Sequence, residues 1–329
     1  MKKLEKYIHQ FAHLRRAPNP IFTEATKNRA PHKPLLLLAV LDLVARGVIT
    51  SPFIDIHSNL VELNELFTGY WRRIMPHYQS SSIAFPFPRL HNEPFWKLVA
   101  MPGKRITPAV INSITTVSQL RTVALGARMD KDLFHFMQQP NSRNALRETL
   151  LRSCFSEKAQ SALTEQSNIN TEAFDYSTEL IEKAHKPLIS EVIETDRYKP
   201  EARDQGFRRA VMNAYDHRCA LCGVRIITLE GHSVVDAAHI IPWIRSKNDD
   251  ICNGMALCKL CHWAFDEGML GVSANYNVIT SRQIGADPNV PGFLLTLSGR
   301  SIIPPYDRDL WPDQEYLNWH RKEFCLSQC

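Results

Sequence analysis

The stretch that decides the fold of the second half of the chain reads CALC at residues 219–222 and CKLCHWAFDEG at residues 258–268. Each C-x2-C pair can place two thiolates on one metal ion, and two such pairs complete a tetrahedral site. A four-cysteine site keeps no open coordination position, so we expect a structural Zn²⁺. Its ligands would be Cys219, Cys222, Cys258 and Cys261. The other interpretation, buried free cysteines, requires two matched pairs to arise by coincidence.

The segment between the two pairs is longer than in a compact zinc ribbon, and it carries the polar residues of interest. It reads VVDAAHIIPW at residues 234–243 and NGMAL at residues 253–257. His262 and Asp266 follow the second pair and would project from one face of a helix.

This order of His239, Asn253 and His262 around paired C-x2-C motifs resembles the HNH family of endonucleases, over roughly residues 207–280. The resemblance implies a ββα-metal fold, in which a β-hairpin and a helix surround one divalent ion. It also implies that His239 is the general base, that the side chain of Asn253 orients its imidazole, and that His262 is a metal ligand. A neutral imidazole suits the base role, and a divalent cation, Mg²⁺ or Mn²⁺, would stabilise the scissile phosphate.

One position departs from the family pattern. Many HNH enzymes carry a metal-ligating Asp or His immediately before the base, where this chain has Ala238. Asp236 lies on the same strand face as Ala238 and could serve through a bend or a bridging water. We therefore expect the catalytic metal on Asp236, His262 and Asp266; in the alternative, Asp236 is not a direct ligand. Asn253 and Gly254 by themselves also fit a simple turn.

The first half carries a second set of motifs. RAPHKP at residues 29–34 leads into a leucine-rich run, and FPFPRL at residues 85–90 and PFWKL at residues 94–98 follow. In this order they resemble the sulfur-binding domain of phosphorothioate-dependent HNH restriction endonucleases of type IV. The DNA-binding residues that the resemblance implies or suggests are Arg29, His32, Lys33, Phe85, Pro86 and Arg89.

The resemblance gives these residues separate roles. His32 and Lys33 would be the cationic pair, and Phe85 with Pro86 the apolar wall. Sulfur is less strongly hydrated than the phosphate oxygen it replaces, so a wall of proline and aromatic carbon would favour it. Arg89 stands where the family often has a small residue, and the resemblance therefore does not fix its role. Arg89 would contact a base edge or a phosphate, or it would be structural. A helix start around His32 and a core role for residues 85–96 are the alternative interpretation.

Length and composition fit a globular protein of two domains. The chain has 329 residues, with 39 Lys+Arg against 34 Asp+Glu, a net charge of +5. This charge suits nucleic acid without requiring it. The apolar run at residues 35–41 is too short for a membrane span, and no signal peptide is apparent. Eight cysteines are too few for a disulfide scaffold, so we expect a cytoplasmic protein.

The sequence predicts an α+β fold in three parts. A mixed α/β DNA-reading domain would span residues 1–155, and the HNH domain residues 201–329. Between them, residues 156–200 would form a polar linker, for which a partly helical structure is one interpretation. Apolar periodicity predicts helices at residues 35–44, 60–75, 130–154 and 203–215. Residues 80–99 predict short strands and tight loops.

The function that we expect is a modification-dependent DNA endonuclease of a restriction system, cutting phosphorothioated double-stranded DNA. Since both strands must be cut, we expect a homodimer. One alternative is an HNH endonuclease that reads another modification or a sequence. The other is a zinc-stabilised DNA-binding protein without catalysis, which Ala238 favours.

Overall fold

The computed structural model describes residues 2–58, 60–185, 197–228, 231–282, 284 and 292–326. These fall into two compact units. Unit 1 comprises Met1–Asn170 with Thr228–His232, and unit 2 comprises Thr171–Ile227 with Ser233–Cys329. Among the described helices, none has the length and apolar character to cross a membrane.

Unit 1 surrounds a three-stranded antiparallel sheet with helices. The strands are β1 (Phe53–Asp55), β2 (Trp96–Ala100) and β3 (Ala124–Met129), with β3 in the middle. The helices are α1 (Lys2–Ala12), α2 (His32–Ala45), α3 (Leu60–Ile74), α4 (Pro86–Arg89), α5 (Pro108–Ser113), α6 (Val117–Val123), α7 (Lys131–Gln138), α8 (Pro140–Cys154) and α9 (Glu157–Ala184). The boundary between the two units, after Asn170, lies within α9.

Helix α2 is the central element of unit 1. Its residues are buried from Lys33 to Val44, as expected of a helix that is apolar on all sides. Its one acidic residue, Asp42, accepts hydrogen bonds from Tyr70 Oη at 2.6 Å, Arg147 Nη2 at 2.6 Å and Asn170 Nδ2 at 2.9 Å. These bonds balance the buried charge and tie α2 to α3, α8 and α9.

Unit 2 contains a β-hairpin flanked by helices. Its helices are α10 (Pro200–Ala214), α11 (Trp243–Ser246), α12 (Lys259–Asp266) and α13 (Gln314–Glu323), and its strands are β4 (Val235–His239), β5 (Gly254–Cys258), β6 (Leu270–Val272) and β7 (Val278–Thr280). β4 pairs antiparallel with β5, and β6 with β7. β5 is buried along its whole length and leads directly into α12. This strand–strand–helix order confirms the α+β fold class.

The predicted helices at residues 35–44, 60–75 and 203–215 are present as α2, α3 and α10 with small shifts at their ends. Residues 130–154 form two helices, α7 and α8, because the backbone is extended at Gln139 before Pro140. The segment predicted as a polar linker, with partial helix as one interpretation, contains a long helix. Its residues 157–184 form α9, a 28-residue helix, and residues 186–196 lie outside the described residues. Ala159, Leu163 and Leu180 of α9 are buried despite the polar composition around them. The domain boundaries themselves stay a prediction.

Candidate functional site

The four paired cysteines come together in unit 2. Their sulfur atoms all lie within 4.8 Å of one another, and Cys222 Sγ is 3.7 Å from Cys258 Sγ. A tetrahedral ion with Zn–S bonds of about 2.3 Å separates its sulfur ligands by about 3.8 Å. The cluster therefore fits a closed tetrahedral metal site. It joins the turn after α10 to the end of β5 and the first turn of α12.

His239 is the last residue of β4, opposite Gly254 of β5. Its ring stacks on Phe207 of α10, with centroids 3.9 Å apart and planes 4° from parallel. Its Nε2 lies 2.7 Å from Asp249 Oδ1. The imidazole lines a cleft of about 400 Å³ between α11, α12 and α13. The ring is therefore held in a fixed orientation at the edge of an open cleft.

The side chain of Asn253 hydrogen-bonds to backbone atoms, whereas the resemblance implied that it orients the imidazole of His239. Its side-chain oxygen accepts a hydrogen bond from Ile241 N at 2.9 Å, and its amide donates to the carbonyls of Ile241 and Asn248 at 3.1 and 2.9 Å. Its side chain thus fixes the backbone that follows the base, and the hydrogen-bond partner of the imidazole is Asp249. Sequence reasoning missed Asp249, although an acidic pair shortly before Asn253 was a usable signal.

Gly254 follows Asn253 for a steric reason. Its φ of −122° is ordinary for a strand, so the pair is not a turn that needs glycine. A Cβ at this position would lie 2.6 Å from Val211 Cγ2 and 3.0 Å from Phe207 Cζ. Glycine therefore lets β5 approach α10 closely enough for Phe207 to cover the imidazole.

His262 and Asp266 face the cleft from successive turns of α12. His262 Nε2 lies 3.5 Å from Asp266 Oδ2, and burial raises the pKa of the Asp266 carboxyl above its ordinary value. One imidazole nitrogen and one carboxylate oxygen at this spacing fit two ligands of a divalent ion.

Asp236 does not join them. Its carboxylate accepts a hydrogen bond from Arg208 Nε at 2.7 Å, and it is not among the residues lining the cleft. Because side chains alternate along a strand, Asp236 points to the face of β4 opposite His239. Among the described residues, the structure therefore brings together two of the three expected catalytic metal ligands.

Arg245, Trp243 and Trp319 line the same cleft, and two further cations lie against Trp243. The guanidinium of Arg203 lies 3.6 Å from the centre of the Trp243 ring, and Lys247 Nζ lies 5.4 Å from it. Arg245 Nη1 bonds Glu323 Oε1 at 2.7 Å. The exposed ammonium of Lys247 and the paired guanidinium of Arg245 are thus two cationic groups on α11 and the residue after it.

In unit 1, an aromatic cage surrounds His32. The ring centroids of Phe22, Trp71 and Phe85 lie 5.8, 4.7 and 5.8 Å from that of the imidazole. Burial, together with the nearby charge of Arg89, lowers the pKa of His32 to about 4. The imidazole is therefore neutral at pH 7 and contributes ring surface rather than charge. Phe85 is 38% exposed, whereas Pro86 is buried.

The expected cationic pair is consequently not a pair of free charges. Lys33 forms an ion pair with Glu93, and both side chains are buried. Arg89 lies beside the cage, with its guanidinium 5.5 Å from the centre of the Phe85 ring. It donates hydrogen bonds to the carbonyls of Phe85 and Ile114, both at 3.1 Å, which holds the loop around α4. Arg29 is exposed.

Comparison with known proteins places both units. The model of the ScoMcrA-like DNA sulfur-binding domain family matches residues 7–171, half of the chain. The chain belongs to this family. A second model, described as an HNH endonuclease, matches residues 219–273. We call unit 1 the sulfur-binding unit and unit 2 the nuclease unit, and both resemblances inferred from the sequence are confirmed. The chain thus joins a sulfur-binding domain to a region that matches the HNH endonuclease model.

Comparison with solved structures and curated proteins adds less. The chain is similar to a solved structure titled "Modification dependent TagI restriction endonuclease", at 22% identity and a TM-score of 0.27. The match covers 36% of this chain and 36% of that chain. No curated protein matches.

Proposed function

We propose that the chain is a restriction endonuclease that recognises phosphorothioated DNA through its sulfur-binding unit and hydrolyses phosphodiester bonds in its nuclease unit. One observation carries the proposal: a single chain joins a sulfur-binding family match, containing an aromatic cage, to an HNH match with a histidine-lined cleft. The first supplies a means of selecting modified DNA, and the second supplies the chemistry.

The cage suits sulfur because its walls are carbon-rich and its histidine is neutral. Phe22, Trp71 and Phe85 surround His32 with ring surface, and a less hydrated sulfur atom loses less on entering such a pocket than oxygen does. The phosphorothioate still carries negative charge, which a nearby cation must balance. We assign this role to Arg89, with Arg29 as a further contact. Lys33 would have to leave Glu93 to reach DNA.

In the nuclease unit, His239 would accept a proton from a water molecule. The resulting hydroxide attacks phosphorus, the bond from phosphorus to the 3′ oxygen breaks, and the 3′ oxygen takes up a proton from solvent. A divalent cation, when bound, stabilises negative charge on the phosphate and the leaving oxygen. His262 and Asp266 would hold it. Asp236 would contribute only through a bridging water, after release from Arg208.

We further propose that Mg²⁺ or Mn²⁺ is the catalytic ion and that Zn²⁺ occupies the four-cysteine cluster. Both thiolate softness and tetrahedral spacing favour zinc there. A reducing cytoplasm would keep these thiols available to the metal, so we place the protein there. Because each nuclease unit offers one cleft and a duplex has two strands, we propose a homodimer, which sedimentation equilibrium with and without DNA would test.

The test of the proposed function is cleavage of two duplexes of identical sequence, one carrying an Rp phosphorothioate and one unmodified, with Mg²⁺ and with Mn²⁺. We expect cleavage of the modified duplex alone. Equal cleavage of both would keep the nuclease and discard the sulfur reader. Binding of the modified duplex without cleavage would favour a zinc-stabilised DNA-binding protein, the second candidate, which Ala238 and the position of Asp236 outside the cleft support.

His239→Ala is the matching catalytic prediction. Removing the base should abolish cleavage while DNA binding, measured by fluorescence anisotropy, stays within about twofold of wild type. His232→Ala is the control, because His232 is an exposed histidine away from the cleft. If His239→Ala still cuts at the wild-type rate, another group is the base.

A further inference from the structure

We infer that Asp249 is a positioning residue that determines which nitrogen of His239 carries the proton, and thereby makes Nδ1 the basic atom. The inference rests on the proposed function, since it concerns the same histidine. It goes beyond the HNH pattern, because the sequence resemblance assigned the orientation of the imidazole to Asn253.

The geometry at Nε2 carries the argument. Asp249 Oδ1 lies 2.7 Å from His239 Nε2, and Asp249 is 4% exposed. An ionised carboxylate can only accept hydrogen bonds, so Nε2 must be the donor. A neutral imidazole has one N–H, which leaves the lone pair on Nδ1. The carboxylate thus selects one of two tautomers.

The carboxylate is itself held in place through its other oxygen. Tyr176 Oη donates to Asp249 Oδ2 at 3.0 Å, and Arg203 Nε lies 3.2 Å from the same oxygen. Oδ1 therefore remains for the imidazole. The guanidinium of Arg203 also balances the buried negative charge of the Asp249 carboxylate. Burial and the neighbouring carboxylate raise the pKa of Tyr176, so its hydroxyl stays a donor.

Stacking removes the remaining freedom of the ring. Phe207 covers one face of the imidazole at 3.9 Å, so tilting the ring out of its plane would break this stack. A half-turn about the Cβ–Cγ bond would place Cε1 instead of Nε2 at Asp249 and so lose that hydrogen bond. Asn253 holds only backbone. Asn253 therefore fixes the backbone that follows His239, and Asp249 fixes the position of the proton on the imidazole of His239.

Asp249→Asn tests the inference, with Asp216→Asn as its control. The amide preserves the shape of the carboxylate but can donate from Nδ2 to His239 Nε2, which favours the opposite tautomer. We expect kcat to fall by about 10²-fold to 10⁴-fold, the range of general-base contributions. KM for DNA should be unchanged. Asp216 is an exposed aspartate of the same unit, and its variant should cut like wild type. A kcat for Asp249→Asn within about threefold of wild type would overturn the inference.

A spectroscopic measurement decides the tautomer directly. The imidazole nitrogens of the full-length chain, labelled with 15N-histidine, report which nitrogen bears the proton, and the signals of His239 are those lost in His239→Ala. We expect Nε2 protonation in wild type and Nδ1 protonation in Asp249→Asn. Nδ1 protonation in wild type would refute the inference. This measurement does not require cleavage. If the wild-type chain cuts no DNA, the proposed function is wrong, and the tautomer of His239 still decides whether Asp249 sets the position of the proton.

Tyr176→Phe gives a second variant in case Asp249→Asn fails to fold. It keeps the buried ring and removes a single hydrogen bond to Asp249 Oδ2. We expect a smaller loss of kcat, with KM unchanged and Nε2 still protonated. A shift of KM alone would contradict a positioning role, because it would indicate an effect on DNA binding instead.

Discussion

At the scale of single residues, His320 shows how burial makes a histidine sensitive to acid. Its Nε2 lies 2.9 Å from the carbonyl oxygen of Phe265, its ring stacks on that residue at 3.7 Å, and burial lowers its pKa to about 4. In the unfolded chain the pKa is near 6.5. Between these values the unfolded state binds more protons, so the free energy of unfolding falls as pH drops from 6.5 to 4.

His320→Gln tests this pH dependence. A glutamine amide can donate to Phe265 O but does not titrate. We expect the variant to have a lower free energy of unfolding than wild type at pH 7. On acidification its free energy of unfolding should fall by up to about 3 kcal/mol less than that of wild type. Urea unfolding at a series of pH values measures this difference. The dependence should shrink rather than vanish, because the pKa of His32 is also about 4. An unchanged pH dependence would mean that His320 is not the group concerned.

At the scale of elements, the four-cysteine cluster fastens segments that are distant in sequence and share one hydrophobic core. It connects the turn after α10 to β5 and α12, the elements that carry Gly254 and His262. Cys258→Ser should reduce bound zinc, measured by mass spectrometry, from one atom per chain to none. Structural zinc contributes about 10–16 kcal/mol in small peptides, comparable to the whole stability of a domain, so the nuclease unit should unfold. Cys325→Ser, at an exposed cysteine, should retain the zinc.

At the scale of the whole molecule, the contacts of α9 bear on where the nuclease domain begins. Tyr176 bonds Asp249, and Arg209 lies 3.8 Å from the centre of the Phe174 ring. A fragment of residues 171–329 keeps these contacts, whereas one of residues 201–329 loses them. We expect the longer fragment to have the higher Tm by scanning fluorimetry. Equal Tm values would support the boundary at residue 201 that the sequence suggested.

The sequence revealed local chemistry better than distant partnerships. The cysteine pairs, the fold class and the two families follow from short motifs, whose spacing directly reflects their geometry. Lys33 and Glu93 form an ion pair although they lie far apart in the chain, and no local sequence pattern predicts it. The same holds for Tyr176, whose partner Asp249 lies 73 residues further along the chain. Polar composition concealed α9, although buried positions recur along it at helical spacing.

The missing side chain of Gly254 has a consequence in genetic terms. A methyl group there would meet Val211 Cγ2 at 2.6 Å and Phe207 Cζ at 3.0 Å, pushing α10 away and with it the ring that covers His239. In a screen for restriction of modified phage DNA, Gly254→Ala should appear as a loss-of-function allele. Revertants should include Val211→Ala, which removes the nearest clashing carbon. Two positions forty-three residues apart would then be genetically coupled, because the change at Gly254 is tolerated only when Val211 has also changed.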